Sequence, residues 1–205
     1  MSRLSLCWSP TSPYVRKVMI LAHETGLAAR IELLPKNVWA ADTDIGATNP
    51  LGKVPALVLG DGTVIFDSPV ILDHLDTLHG GPRLIPAEGP ARVRVLTLQA
   101  LADGVLDAAV LTLLESRRPA AERSADWVAR QRRAIDRGLD AVEAQVAGFG
   151  PGLDAGQITV LSALGYLDFR FTNLDWRSGR PALAAWFGQA AQRPSFLATV
   201  PKDPA

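Results

Sequence analysis

Three short polar segments combine residue types that can bind a ligand, and the first of them could act on a thiol. It is the stretch "SPTSP", in which the hydroxyls of Ser9, Thr11 and Ser12 precede a helix-like run. A hydroxyl at a helix start can donate to a thiolate, and a charge-assisted hydrogen bond of roughly 1.5–3 kcal/mol lowers a thiol pKa of about 8.5 by one to two units. Serine and threonine are also the usual helix caps, so this stretch alone favours a structural role.

The second segment, "NPLGKVPAL", places Pro55 at the opening of a strand, where proline is tolerated. A cis Val54–Pro55 bond would hold the N–H and C=O of Val54 outward, so that a peptide-like ligand could pair with them. An isolated X-Pro bond is more often a plain loop-to-strand turn, because cis bonds are uncommon.

The third segment, "FDSP", places Asp67 and Ser68 at the start of a helix directly after a strand. The unpaired N–H groups and the positive dipole end of a helix N-terminus attract an anion, so a carboxylate can dock at Ser68. Asp67 would repel that carboxylate unless it binds a neighbouring ammonium, which suits the zwitterionic end of an amino acid better than a phosphate. The alternative is a simple N-cap.

The elements that must position these segments follow from periodicity and turn residues. "RLSLCW" alternates as a strand, and "YVRKVMILAHETG" has helical spacing with Gly26 as its C-terminal cap. A Gly-Asp-Gly turn at 60–62 indicates a hairpin, and Ser68 before Pro69 is typical of a helix start. The other strands are predicted at Arg30–Leu34, Ala56–Leu59 and Val64–Phe66. The order βαβ-ββα predicts an α/β, thioredoxin-like domain with a four-stranded mixed sheet.

The strand pattern does not return in the second half of the chain. Helical spacing recurs there at Ala91–Arg117, Ser124–Val146, Ile158–Phe171 and Pro181–Gln192. The intervening "GGPRLIPAEGP" is rich in helix breakers. We therefore predict a thioredoxin-like domain at 1–79, a linker at 80–90 and an all-helical domain at 91–205.

Composition limits the kinds of partner. The chain has 205 residues with 21 Lys and Arg against 21 Asp and Glu, so it has no excess charge to attract nucleic acid or an anionic membrane. The lone Cys7 excludes an internal disulfide and fits a reducing compartment, with the cytoplasm as the default. His23, His74 and His79 show no metal-ligand spacing, so we expect no metal and assign them to helix surfaces.

Together, "SPTSPYVRKV", "NPLGKVPAL" and "FDSP", in this order and followed by a helical half, resemble the cytosolic glutathione transferase family. The resemblance covers essentially the whole chain and is nearest to bacterial serine-type (theta/zeta-like) members. It implies a thioredoxin-like domain that binds glutathione as co-substrate, with no other cofactor. It further implies a helical domain that supplies most of the pocket for a hydrophobic electrophile, and a homodimer.

The resemblance also implies roles for the hydroxyl segment. The serine that serves the glutathione thiolate falls on Ser9, directly after the first strand, or on Ser12, beside the helix-opening proline. Thr11 lies between them and stays a candidate for glutathione contact. Tyr14 lies inside the helix rather than at the tyrosine position of other classes, and Cys7 precedes the loop, which disfavours a cysteine mechanism.

The remaining glutathione contacts are carried over in the same way. Val54 corresponds to the backbone partner of the cysteinyl part, and Asp67 with Ser68 to the pair that holds the γ-glutamyl end. Lys53 is placed near the glycyl carboxylate. Asp103 could reach the glutathione amine from the other subunit, although a solvated helix residue is the simpler interpretation.

One departure from the family concerns the helical domain. Members commonly carry a Ser/Thr-x-x-Asp capping box at the start of the buried core helix, where we align Thr159 and Ser162 of this chain. A neutral serine should hold the cap more weakly than aspartate. We therefore expect a less stable start of that helix.

The expected reaction is conjugation of the glutathione thiolate to a hydrophobic electrophile. Glutathione-dependent peroxide reduction is possible on the same site, since both reactions begin with the thiolate. The alternative is a non-catalytic binding or scaffold protein that keeps the fold. A disulfide oxidoreductase is disfavoured, because the loop has no Cys-x-x-Cys pair.

Overall fold

The computed structural model describes residues 3–203, beginning with a four-stranded mixed sheet. Its strands are β1 (Leu4–Trp8), β2 (Ile31–Pro35), β3 (Ala56–Val58) and β4 (Val64–Ile65), in the order β2-β1-β3-β4. β1 is parallel to β2, whereas the β1–β3 and β3–β4 pairs are antiparallel. The predicted thioredoxin-like arrangement is confirmed.

Two helices accompany the sheet and pack against each other: α1 (Pro13–Glu24) and α2 (Ser68–Leu75). The side-chain oxygen of Ser12 caps α1, and Pro13 takes the first helical position, where its missing N–H costs nothing. Val15, Val18 and Ala22 are buried along one face of α1, as the helical spacing predicted.

The second half is helical, as predicted, with α3 (Gly89–Arg117), α4 (Ala125–Glu143), α5 (Ala155–Arg170), α6 (Pro181–Ala190) and the short α7 (Pro194–Leu197). α3 packs against both α4 and α5. Every residue of α5 from Ala155 to Leu167 is buried, which is the pattern of a helix at the centre of a bundle.

The start of α5 corrects the expected weak cap. The helix begins at Ala155, and Asp154 accepts from the Gln157 N–H at 2.8 Å while the Gln157 side chain accepts from the Asp154 N–H at 2.8 Å. This is a complete capping box. Thr159 lies inside the helix, where its hydroxyl donates to the Ala155 carbonyl, so the alignment of the cap on Thr159 and Ser162 was wrong.

The chain divides into two compact units, which share out the predicted linker between them and differ from the predicted domains most clearly at the last residues. One unit extends to Ala87 and also contains residues 193–203, and the other is Glu88–Gln192. The last residues were predicted to belong to the helical domain. They group with the sheet unit because α7 packs against α1.

α3 is the one helix of residues 3–203 that is long and apolar enough, by length and composition, to cross a membrane. Of its most apolar window, 44% is buried within the structure. α3 packs against α4 and α5, and its buried side chains include Leu98, Val105 and Leu106. An interior helix of a bundle meets the same length and composition criteria.

Close packing of α3 on α5 depends on Gly156. A Cβ added there would lie 2.9 Å from the Leu98 Cβ and 2.9 Å from the Val95 carbonyl oxygen. We expect Gly156→Ala to lower the free energy of unfolding by about 1–3 kcal/mol, measured by urea denaturation. The control is Gly104→Ala on α3, where a Cβ meets nothing within 4 Å and alanine should stabilise the helix. Equal effects of the two changes would contradict this account.

Candidate functional site

The strand register brings the three polar segments to one edge of the sheet. Cys7 on β1 pairs with Ala56 on β3, and Leu57 on β3 pairs with Ile65 on β4. Because both pairs are antiparallel, the end of β1, the start of β3 and the end of β4 lie at the same edge. The hydroxyl segment, the Val54 segment and the Asp67–Ser68 segment all leave the sheet there.

Ser12 is the hydroxyl that the structure places at a helix N-terminus. Its Oγ accepts from the Val15 N–H at 3.3 Å, and its own backbone N–H donates to the Ser9 carbonyl at 3.3 Å. Because Oγ is the acceptor in the cap, its O–H can still donate to an anion. Ser9, Thr11 and Ser12 are all half-buried, so a ligand at this edge of the sheet can reach them.

Asn49 organises the loop that leads into β3. Its side chain is buried, donating to the Lys53 carbonyl at 2.8 Å and accepting from the Leu51 N–H at 3.0 Å. The Val54–Pro55 peptide bond is cis. Lys53 is exposed and Val54 half-buried, so both stand at the surface of this edge. Asn49 lay within the segment quoted above, but nothing in the sequence indicated its positioning role.

The start of α2 differs from its prediction in detail. Asp67 occupies the N-cap position by its backbone, with no capping hydrogen bond from its side chain, and Ser68 is the first helical residue. The prediction that Ser68 caps α2 was therefore wrong, because Pro69 takes the second helical position rather than the first. Asp67 is exposed whereas Ser68 is buried, and the Phe66–Asp67 bond is cis.

A buried carboxylate fixes the chain beyond α2. Asp76 accepts from the Arg83 guanidinium at 2.7 Å and from the N–H groups of Leu84 and Ile85 at 2.8 and 2.9 Å. Burial alone would raise the pKa of Asp76, but these bonds and that of His79 outweigh it and lower the pKa. No motif in the sequence indicated this role.

His79 corrects a further prediction. Its side chain is 7% exposed, with Nε2 3.0 Å from Asp76 Oδ1, and Nδ1 accepts from the Gly81 N–H at 3.1 Å. A helix-surface role was predicted, whereas the ring lies beyond α2 beside a buried carboxylate. Its function is structural.

Cys7 does not have the environment of a nucleophile. It is 1% exposed, and burial raises the pKa of its thiol despite opposing contributions from Thr48 and Lys36. A reactive cysteine needs a lowered pKa and access to solvent. The Lys36 ammonium is itself engaged by Asp44 at 2.6 Å. The environment of Cys7 is therefore a further reason to disfavour a cysteine mechanism.

Asp103 lies on α3, in the second unit, and is half-buried. Its assignment to the glutathione amine involves another subunit and stays a prediction. The other proposed contacts belong to the sheet unit, and the register brings their segments together.

A four-stranded thioredoxin-like sheet with this edge, followed by a helical unit, defines the class of protein: a glutathione transferase-type fold. Two family models match the chain, "Glutathione S-transferase, N-terminal domain" over residues 11–78 and "Glutathione S-transferase, C-terminal domain" over residues 125–189. An uncharacterized GST-like protein of Escherichia coli (strain K12), YibF, is 38% identical over 97% of this chain and 98% of its own. The chain belongs to the glutathione S-transferase family.

Solved structures agree with this assignment. A glutathione transferase family member from Pseudomonas fluorescens Pf-5, with bound glutathione, is 48% identical with a TM-score of 0.94, covering 98% of this chain and 100% of that one. A structure of a Pf-5 family member with bound S-(propanoic acid)-glutathione has 47% identity and a TM-score of 0.90, covering 97% and 100%.

Proposed function

We propose that the protein is a glutathione transferase that conjugates the glutathione thiolate to a hydrophobic electrophile. One observation carries the proposal: the register brings a helix-capping hydroxyl, the Val54 backbone before a cis proline and a helix N-terminus to the same edge of the sheet. Those are a thiolate donor, a peptide partner and a carboxylate site. Glutathione is a small peptide with a thiol and a zwitterionic end, and it needs all three.

Each segment has a role in this proposal. The backbone of Val54 pairs with the cysteinyl part, and the N-terminus of α2 at Ser68 binds the γ-glutamyl carboxylate. Asp67, exposed beside it, takes the ammonium of the same group. Lys53 lies toward the glycyl carboxylate, and Thr11 borders the site. Asp103 of a second copy in a homodimer would add a contact to the amine.

The reaction follows from the state of the thiol. Glutathione loses its thiol proton to solvent, and a serine O–H donates to the resulting thiolate. The sulfur then attacks an electrophilic carbon, so that a C–S bond forms and, in a substitution, the leaving group departs as an anion. Peroxide reduction would begin from the same thiolate. The Pf-5 family member with S-(propanoic acid)-glutathione supports a site that accepts S-substituted glutathione.

Among the hydroxyls, we favour Ser12 over Ser9. Ser12 is the N-cap of α1, so its O–H lies at the positive end of the helix dipole. Its Oγ already accepts a hydrogen bond from the Val15 N–H. Because the Oγ accepts a hydrogen bond from the helix, the hydroxyl is oriented so that its O–H can donate to a thiolate outside the helix. With this choice we assign the protein to the serine-type members of the family, and we propose separately that it acts in the cytoplasm.

The test is turnover of a chlorinated nitroaromatic with glutathione by the purified protein, together with retention on immobilised glutathione. We expect both retention and turnover, with chloride release matching the conjugate formed. Retention without activity toward a broad panel of electrophiles and peroxides would favour the alternative, a non-catalytic binding or scaffold protein. If the protein shows no retention and no turnover, the proposal is overturned.

A further inference from the structure

The 193–203 segment is attached to α1 at two points within the sheet unit. At the far end of α1, the Arg193 guanidinium binds both carboxylate oxygens of Glu24, at 2.9 and 2.6 Å, and the Ser195 hydroxyl donates to the same carboxylate. The bond from Arg193 lowers the pKa of Glu24, with burial opposing it. This contact fastens the segment.

The second point is at the first turn of α1. The Arg16 guanidinium lies 3.8 Å from the centroid of the Phe196 ring, and its Nη2 donates to the Phe196 carbonyl at 3.3 Å. Arg16 is 6% exposed and Phe196 8%. Burial lowers the pKa of Arg16 to about 10, which is the effect of a charge removed from water. Among residues 3–203, the Nε atom of Arg16 has no hydrogen-bond partner.

The Arg16 contact is one turn from the proposed thiolate donor. The Arg16 backbone N–H donates to the Ser12 carbonyl at 3.0 Å and closes the first turn of α1. The two attachment points are eight residues apart on the helix, which is about 12 Å. The segment therefore spans most of α1 and fixes its N-terminal turn directly through Phe196.

We propose that the 193–203 segment positions Ser12 for thiolate stabilisation by holding the first turn of α1 through the Phe196–Arg16 contact. Phe196 and Arg16 are positioning residues, which act through Ser12 and do not touch glutathione. A hydrogen bond to a thiolate is sensitive to displacement, since a shift of about 1 Å can cost about a hundredfold in rate. The inference rests on the proposed function.

The experiment compares Phe196→Ala with Leu197→Ala. Leu197 is its neighbour on α7, is 55% exposed and serves as the matched control. The readouts are kcat and KM for glutathione and the pH dependence of thiolate absorbance in the enzyme–glutathione complex. For Phe196→Ala we expect the apparent pKa of the bound thiol to rise by about half to one unit and kcat/KM at neutral pH to fall about three- to tenfold. KM for glutathione should change little, and Leu197→Ala should match wild type.

A purely structural role would lower the unfolding temperature without changing the thiol pKa, and that result would overturn the inference. Phe196→Tyr, which keeps the ring over Arg16, should restore the pKa and also provides the comparison if the alanine variant does not fold.

If Phe196→Ala and Arg16→Gln act through one contact, the double variant should be no worse than the more severe single variant. Additive losses would contradict this. Wild-type protein without a thiolate band or turnover would overturn the proposed function as well, whereas a normal wild type with unchanged Phe196→Ala overturns only this inference.

Discussion

Replacing Ser12 with glycine is expected to lower kcat/KM for conjugation about tenfold to a hundredfold at neutral pH, because the lost hydrogen bond to the thiolate is worth one to two pKa units. The variant raises the pKa of the bound thiol, so less of it is ionised near pH 7. The deficit should therefore shrink as the pH rises through the variant's higher thiol pKa. The measurement is the pH profile of kcat/KM for glutathione in both proteins.

Glycine is chosen because Ser12 also caps α1. A serine-to-glycine change at an N-cap costs only a few tenths of a kcal/mol, whereas alanine costs about 1 kcal/mol. Ser124 provides the matched control, because its Oγ caps α4 by accepting from the Trp127 N–H at 3.2 Å, in the other unit. Ser124→Gly should leave the profile unchanged.

Ser9→Ala separates the two candidate serines. We expect it to leave the thiol pKa near that of wild type, since its hydroxyl is not the cap of α1. A large loss in Ser9→Ala with little effect of Ser12→Gly would reverse the assignment. Full activity in both variants would remove serine from the mechanism.

The parts of the fold that were predictable depend on local patterns. The alternating sequence "RLSLCW" indicated β1, although Cys7 is buried beside Leu6. The Gly-Asp-Gly turn joins β3 to β4, and Ser12 with Pro13 marks the start of α1, each within a few residues. Local signals of this kind identify elements, and the βαβ-ββα order then restricts the sheet topology. The convergence of the three polar segments follows from that topology.

The contacts that hold the site in place were not predictable, because their partners are distant or are backbone groups. Asn49 reads as an ordinary loop residue until its bonds to the Lys53 carbonyl and the Leu51 N–H are seen. Likewise, the Phe196–Arg16 contact joins residues 180 positions apart. No periodicity links such positions, so the assignment of the last residues to the helical domain had no warning signal.

Two other errors arose from choosing one local signal where the sequence offered two. Serine before proline suggested that Ser68 is a cap, but the preceding aspartate takes that position and the proline moves to the second. In the helical unit, Thr159 and Ser162 were aligned with a family capping box, whereas Asp154 and Gln157 form the actual box five residues earlier. Cap residues are common enough that only backbone geometry decides between neighbours.

The largest expected effect on stability is that of Asp76→Ala, a loss of about 2–4 kcal/mol in the free energy of unfolding. The variant leaves the Arg83 guanidinium and the N–H groups of Leu84 and Ile85 without their acceptor. Ile85 is buried, so its N–H would carry the full cost of desolvation without an acceptor, whereas the exposed Arg83 can bond to water instead. Urea denaturation at pH 7 measures the loss. Asp61→Ala is the control, because Asp61 is exposed and its carboxylate bonds to the neighbouring Thr63, and its effect should be much smaller.

The stabilising contribution of Asp76 should depend on pH in a defined direction. The pKa of Asp76 is lowered in the folded protein, so its ionised form contributes stability above the unfolded value of about 3.9, and the contribution is lost as pH falls through the folded pKa. Wild type should therefore lose stability more steeply than Asp76→Ala below about pH 4, and the difference between them should narrow there. A difference that stays constant from pH 7 to pH 3 would show that the loss comes from packing rather than from the charge. In that case the bonds of Arg83 and the two N–H groups would not be what holds the chain beyond α2.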